Sequence, residues 1–128
     1  MNLIIGSHVS YNNESQLLGS VKEALSYKAN TFMFYTGAPQ NTNRSVIEDS
    51  LTMEAYKLMK ENNIALEKVI VHAPYIVNLA NFNNFDFSVS FLINEVERCS
   101  TLGIKYLVLH PGSAVNCSRE EAINNISK

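Results

Sequence analysis

Four short apolar runs constrain this chain more than any other feature. Leu3–Val9, Thr31–Thr36, Lys68–Ala73 and Lys105–His110 start about 28 to 38 residues apart, the spacing of successive βα units. Val69-Ile70-Val71 and Tyr106-Leu107-Val108-Leu109 are apolar at every position, the pattern of parallel strands buried on both faces. The stretches between the runs read as helices. Leu17, Val21, Ala24 and Leu25 make one face, and Leu51, Ala55, Leu58 and Met59 a second that ends at Asn62-Asn63. Val89, Leu92, Val96, Cys99 and Leu102 make a third, with Asp86 as its N-cap and Gly103 at its C-terminal end. Ser118 and Glu121 form a capping box that opens a fourth helix. The fold class is therefore α/β, four βα units in one domain, undivided by any Pro-, Gly- or Ser-rich linker.

Composition narrows the functions open to such a chain. Its 128 residues suffice for one core and not for two. A hydrophobic share of 46% with a net charge of only −2 excludes disorder as the main state. No apolar run reaches the roughly 18 residues of a membrane span, and Met1–Gly6 lacks the basic and apolar parts of a secretory signal. A cytoplasmic protein without membrane contact is expected. Ten Lys+Arg against twelve Asp+Glu also exclude a grip on nucleic acid by bulk charge, so local geometry and metal would have to supply it. Cys99 and Cys117 have no CxxC or metal spacing and read as free thiols of a reducing compartment.

The polar residues with chemistry collect at the strand ends. His8, His72 and His110 all fall there, and so do Gly37, Pro39, Pro74, Pro111 and Gly112. In parallel α/β folds the carboxyl ends of the strands carry the active site. Val69-Ile70-Val71-His72-Ala73-Pro74 and Leu107-Val108-Leu109-His110-Pro111-Gly112 match position by position. If these strands are neighbours in matched register, both imidazoles stand at one height on one side and can share a Zn²⁺ at about 2.0–2.1 Å each. No third ligand is evident, because the acids lie on helices or in loops. His8 is expected to support a ligand or the structure rather than to bind metal. Thr36–Thr42 reads as a polar surface loop on the same side, Tyr75 and Asn78 as residues near the mouth, and Phe82, Phe85, Phe87 and Phe91 as packing around the third helix.

At these residues the sequence resembles the endonuclease IV family of zinc-dependent apurinic/apyrimidinic endonucleases. The matching pieces are Gly6-Ser7-His8-Val9-Ser10, Phe34-Tyr35-Thr36-Gly37-Ala38-Pro39-Gln40-Asn41, His72-Ala73-Pro74-Tyr75-Ile76-Val77-Asn78-Leu79 and Leu109-His110-Pro111-Gly112-Ser113. The resemblance implies a TIM (β/α)₈ barrel with three zinc ions that incises double-stranded DNA 5′ to an abasic site and leaves a 3′-hydroxyl. It implies that His72 and His110 ligate one metal, that Gln40 and Asn41 lie in a loop that probes the DNA, and that Tyr75 and Asn78 face DNA near the lesion. Some members carry Arg where Gln40 stands, and Gln brings less electrostatic pull.

A (β/α)₈ barrel takes about 250 residues. Residues 1–128 are accordingly expected to be the truncated N-terminal half of one barrel domain. At most one partial zinc site remains, with no catalytic group beyond the metal ligands, and the fragment alone is expected to be inactive. A complete enzyme of this kind is expected to be a monomer, whereas the open edges of a half-barrel invite self-association. Two other readings fit the same pattern. One is a metal-dependent sugar isomerase or epimerase on the same barrel. The other is a non-catalytic, flavodoxin-like module of four units with helices on both faces of its sheet.

Overall fold

A computed structural model of the chain describes residues 3–80, 85–112 and 118–127. Among these residues four strands alternate with four helices: β1 (Gly6–His8), α1 (Gln16–Ser26), β2 (Thr31–Phe34), α2 (Asp49–Glu61), β3 (Ile70–His72), α3 (Phe85–Leu102), β4 (Tyr106–Val108) and α4 (Arg119–Ile126). A single 3₁₀ turn, Leu66–Lys68, precedes β3. The strands form one parallel sheet in the order β1-β2-β3-β4. Consecutive parallel neighbours joined by right-handed crossovers put α1, α2 and α3 on the same face. That order departs from the flavodoxin-like alternative, whose helices cover both faces. It is the order of the first four units of a TIM barrel.

The core lies between the sheet and the helices. Phe32, Phe34, Val69 and Val71 point into it and meet Leu17, Val21, Ala24, Ala55, Met59, Cys99 and Leu102, all buried. Side chains alternate across a strand, so Met33, Ile70 and His72 turn to the opposite face and are only half-buried. The expectation of strands buried on both faces is therefore corrected: helices cover one face, while β1 is exposed throughout and Tyr106 and Val108 of β4 are exposed. In a closed barrel that second face would line the interior. The ladders are also shorter than the apolar runs. Ahead of β1, Asn30 takes over, its side chain accepting from Ile5 N at 2.7 Å and donating to Leu3 O at 2.8 Å.

The helix ends follow local chemistry. Gly103, at φ +76°, closes α3 in a Schellman turn, with Gly103 N–H donating to Ser100 O and Ile104 N–H to Cys99 O. Asn63, at φ +59°, ends α2 in the same way. Ser118 Oγ accepts from Glu121 N at 3.1 Å, as the capping box requires. Asp86 is not the N-cap of α3; it lies within the first turn, where its charge suits the helix dipole. The buried face of α3 is also rotated from the expected one. Ser88, Phe91, Glu95, Arg98, Cys99 and Leu102 face inward, while Val96 is 52% exposed. The cause is a polar contact: the carboxylate of Glu95, 0% exposed, is drawn inward by partners from the loop after β2. Cys99 is a buried free thiol; Phe82, Ser113 and Cys117 lie outside the described residues.

Candidate metal and nucleic-acid site

His72 is the last residue of β3 and His110 lies two residues beyond β4. They do not stand opposite each other: His72 pairs with Val108, so the matched register expected from the sequence is corrected. The rings nevertheless stack with centroids 5.0 Å apart, and their Nε2 atoms are 3.2 Å apart. Barrel strands are tilted and staggered, so residues at one height around the axis advance along the chain from strand to strand. A row of four rings results, with this two-residue offset at its two outer steps and none between Tyr35 and His72, which continue the Met33–Ile70 and Phe34–Val71 register. His8 pairs in register with Met33, but its ring meets Tyr35 at 4.8 Å; Tyr35 meets His72 at 5.1 Å. A two-residue offset keeps side-chain parity, so all four rings point to the same face of the sheet.

The pair fits a divalent metal. Two nitrogens bound at about 2.0–2.1 Å with a tetrahedral angle between them lie about 3.3 Å apart, close to the observed 3.2 Å. The Nδ1 atom of His72 is 2.6 Å from Ala73 O. A carbonyl only accepts, so Nδ1 carries the proton and Nε2 keeps the lone pair that a metal needs. Among the described residues no group of three or more His, Cys, Asp or Glu side chains converges. His8 sits at the far end of the ring row. Partial burial, followed by the neighbouring His72, lowers its pKa below the usual histidine value, while the Val9 backbone and Glu23 act weakly the other way.

The expected DNA-facing residues surround this row. Gln40 is exposed, and Asn41 Oδ1 accepts from Asn43 N at 3.0 Å within the same loop. Tyr75 is 62% exposed beyond β3. Asn78 is half-buried; its Oδ1 accepts from Ala80 N, and Ser88 Oγ of α3 receives its backbone N–H at 3.1 Å. Gly112, at φ +115°, leaves room for that amide: a Cβ there would stand 2.0 Å from Asn78 Oδ1. A cleft of about 580 Å³ lies beside the row, between His8–Asn13 on one side and Tyr35, Gly37, Ala38, Pro39, Asn41 and Asn43 on the other.

Thr36 departs from expectation. It is 1% exposed and belongs to a buried polar cluster rather than to a surface loop. Its hydroxyl donates to Glu95 Oε2 at 2.6 Å, Arg44 Nε donates to Glu95 Oε1 at 2.6 Å, and Arg98 Nε donates to the Thr36 hydroxyl at 3.1 Å. The sequence reading missed Tyr35, Arg44, Glu95 and Arg98. The signal for the two α3 residues was their spacing: Phe91, Glu95, Arg98 and Leu102 share one helix face.

Four consecutive βα units in the order β1-β2-β3-β4, with imidazoles gathered at the carboxyl ends of the strands, define part of a TIM barrel. The chain belongs to the xylose isomerase-like TIM barrel family, whose sequence model matches residues 21–128. It is 55% identical to a probable endonuclease 4 of Acholeplasma laidlawii over 98% of this chain and 44% of that protein. It is 51% identical to a probable endonuclease 4 of Bacillus subtilis over 97% of this chain and 42% of that one. The crystal structure of endonuclease IV from Thermus thermophilus shares the fold, with a TM-score of 0.73 at 24% identity, covering 94% of this chain and 44% of that chain. The chain thus spans less than half the length of the curated relatives it matches. Among the described residues no helix is long and apolar enough to cross a membrane.

Proposed function

We propose that these four units are one half of a single metal-dependent endonuclease barrel, a cytoplasmic DNA-repair enzyme that incises duplex DNA 5′ to an abasic site and leaves a 3′-hydroxyl. The observation that carries the reading is the 3.2 Å approach of the His72 and His110 Nε2 atoms, with the other nitrogen of His72 committed to a backbone carbonyl. His72 and His110 would hold one zinc ion of a three-zinc site. The further ligands would come from units beyond these four. Bound zinc would supply Lewis acidity toward the phosphate and a water of lowered pKa.

The chain's own residues bind and orient. Gln40 and Asn41, at the tip of the loop after β2, reach toward a groove. Tyr75, on an exposed turn, offers a ring face to an unstacked sugar or base. Val77 N–H donating to Pro74 O closes the turn that carries Tyr75, and Asn78, whose Oδ1 accepts from Ala80 N, faces the strand near the lesion. His8 closes the ring row behind Tyr35 and His72 in a supporting role. Extruding an abasic sugar breaks no base pair, which favours the damaged site over intact duplex. Direct attraction of phosphate by metal suits a chain of net charge −2.

The test is cleavage of a duplex carrying one abasic site. A barrel made of these 128 residues continued by four further βα units with strand-end carboxylates and histidines is expected to cut it, and EDTA to stop the reaction. The 128-residue polypeptide by itself is expected to leave the duplex intact. Strong EDTA-sensitive cutting by the short polypeptide would contradict the half-site. A complete barrel that interconverts aldoses and ketoses but ignores the duplex would replace this reading with a sugar isomerase.

A further inference from the structure

The loop after β2 is packed from within by charge. Glu95 is 0% exposed and the Arg44 side chain 6% exposed, and the two are joined at 2.6 Å. Arg98 is 8% exposed. Burying charge is expensive, and a well-packed apolar set of equal volume often stabilises a fold as well or better. What the two guanidinium groups hold is informative. Arg98 donates to Thr36 O at 2.8 Å and to Ser45 O at 2.6 Å, so it ties together the two ends of the loop. Arg44 Nη1 lies 3.2 Å from Ala38 O, 3.2 Å from Asn41 O and 2.7 Å from Asn43 O, so it holds the middle. All five acceptors are backbone carbonyls within residues 36–45. The Arg44 guanidinium also lies over Phe91, 4.9 Å from the ring centroid.

Gly37 is part of the arrangement. A Cβ there would stand 2.7 Å from both Cδ and Nη1 of Arg44. Only glycine lets the guanidinium lie this close under the loop. On its other side the loop lines the cleft beside His8 and Tyr35.

We propose that Arg44 and Arg98, anchored by Glu95 and Thr36, are positioning residues that preset the loop of residues 37–43 in its duplex-binding shape. This rests on the function proposed above, in which that loop meets DNA. A loop held before binding pays no ordering cost on contact. The Arg fork is essential to the device, because a Lys ammonium can pair with Glu95 but cannot span Glu95 and three carbonyls at once.

The experiment compares wild type, Arg44→Lys and Gly37→Ala in the complete barrel. Amide exchange of residues 38–43, affinity for a fluorescent duplex with one abasic site, and kcat are measured for each. Arg44→Lys keeps the buried charge pair, so its melting temperature reports whether the fold survives. Expected for both variants are faster exchange across the loop, affinity weaker by about tenfold, and kcat within about twofold of wild type. Unchanged exchange, or faster exchange with unchanged affinity, would overturn the proposal. A wild-type barrel that binds the duplex without cutting it defeats the proposed activity and leaves the loop comparison decisive. A barrel that does not bind the duplex at all overturns both.

Discussion

His72 and His110 meet ring to ring although the sheet does not pair them: His72 sits opposite Val108, and the two Nε2 atoms are 3.2 Å apart. The stagger of barrel strands, not equal position in the ladder, brings these two nitrogens together. Replacing either histidine by Ala in the complete barrel is expected to lower its zinc content and to reduce abasic-site cleavage more than about 100-fold. Loss of a supporting partner alone typically costs 10–100-fold. Elemental analysis beside steady-state kinetics checks this, and full zinc content in both variants would refute it.

Among the described contacts Glu95 is the carboxylate paired with buried Arg44, and the Thr36 hydroxyl links it to buried Arg98. Replacing Glu95 by Ala leaves their charge uncompensated and is expected to cost about 3–5 kcal/mol of stability. Glu95→Gln keeps the shape and one acceptor oxygen, loses the second acceptor and the charge, and is expected to cost less than Ala. Urea unfolding of the two variants measures the difference.

Gly103 is where α3 turns into the left-handed region, and a Cβ there would stand 2.7 Å from the Tyr56 hydroxyl oxygen. That hydroxyl donates to Leu102 O. Gly103→Ala is expected to destabilise by about 1–2 kcal/mol from backbone strain, with a further loss if Tyr56 is displaced. A lower thermal midpoint, partly restored in a Gly103→Asn variant, is the expected result.

Cys99 is held in its neutral form. Burial first, and then the Glu95 carboxylate, push its thiol up from 9.0 to about 11, with Arg98 opposing. The native state therefore keeps this proton longer than the unfolded chain. The stabilisation is complete below pH 9.0 and is lost as pH rises toward about 11. Native Cys99 is expected to resist iodoacetamide at about pH 8 and to react once unfolded, as peptide mass mapping would show. Between about pH 8 and about pH 10.5 the wild type is expected to lose more stability than Cys99→Ala.

Much of the fold is legible in local sequence. The four apolar runs announce the strands, and Gly103, Asn63 and Ser118 mark helix ends through short-range backbone chemistry. The candidate histidines are legible too, because a strand end in a parallel α/β fold is a position the sequence can count to. The burial of α3 is not. Apolar periodicity selects Val89 and Val96, yet Glu95 faces inward, because its partners Thr36 and Arg44 are 59 and 51 residues away.

What the sequence determined by itself is the order and type of the elements and the identity of the residues at their ends, since these follow from interactions between near neighbours. The tertiary structure alone decided three things. It set the offset that joins His72 to His110, which depends on how the strands tilt as the sheet curls. It chose the face of the sheet that the helices leave open. It also built the Arg44–Glu95–Arg98 cluster, because a buried charge is tolerable only where distant segments bring it a partner.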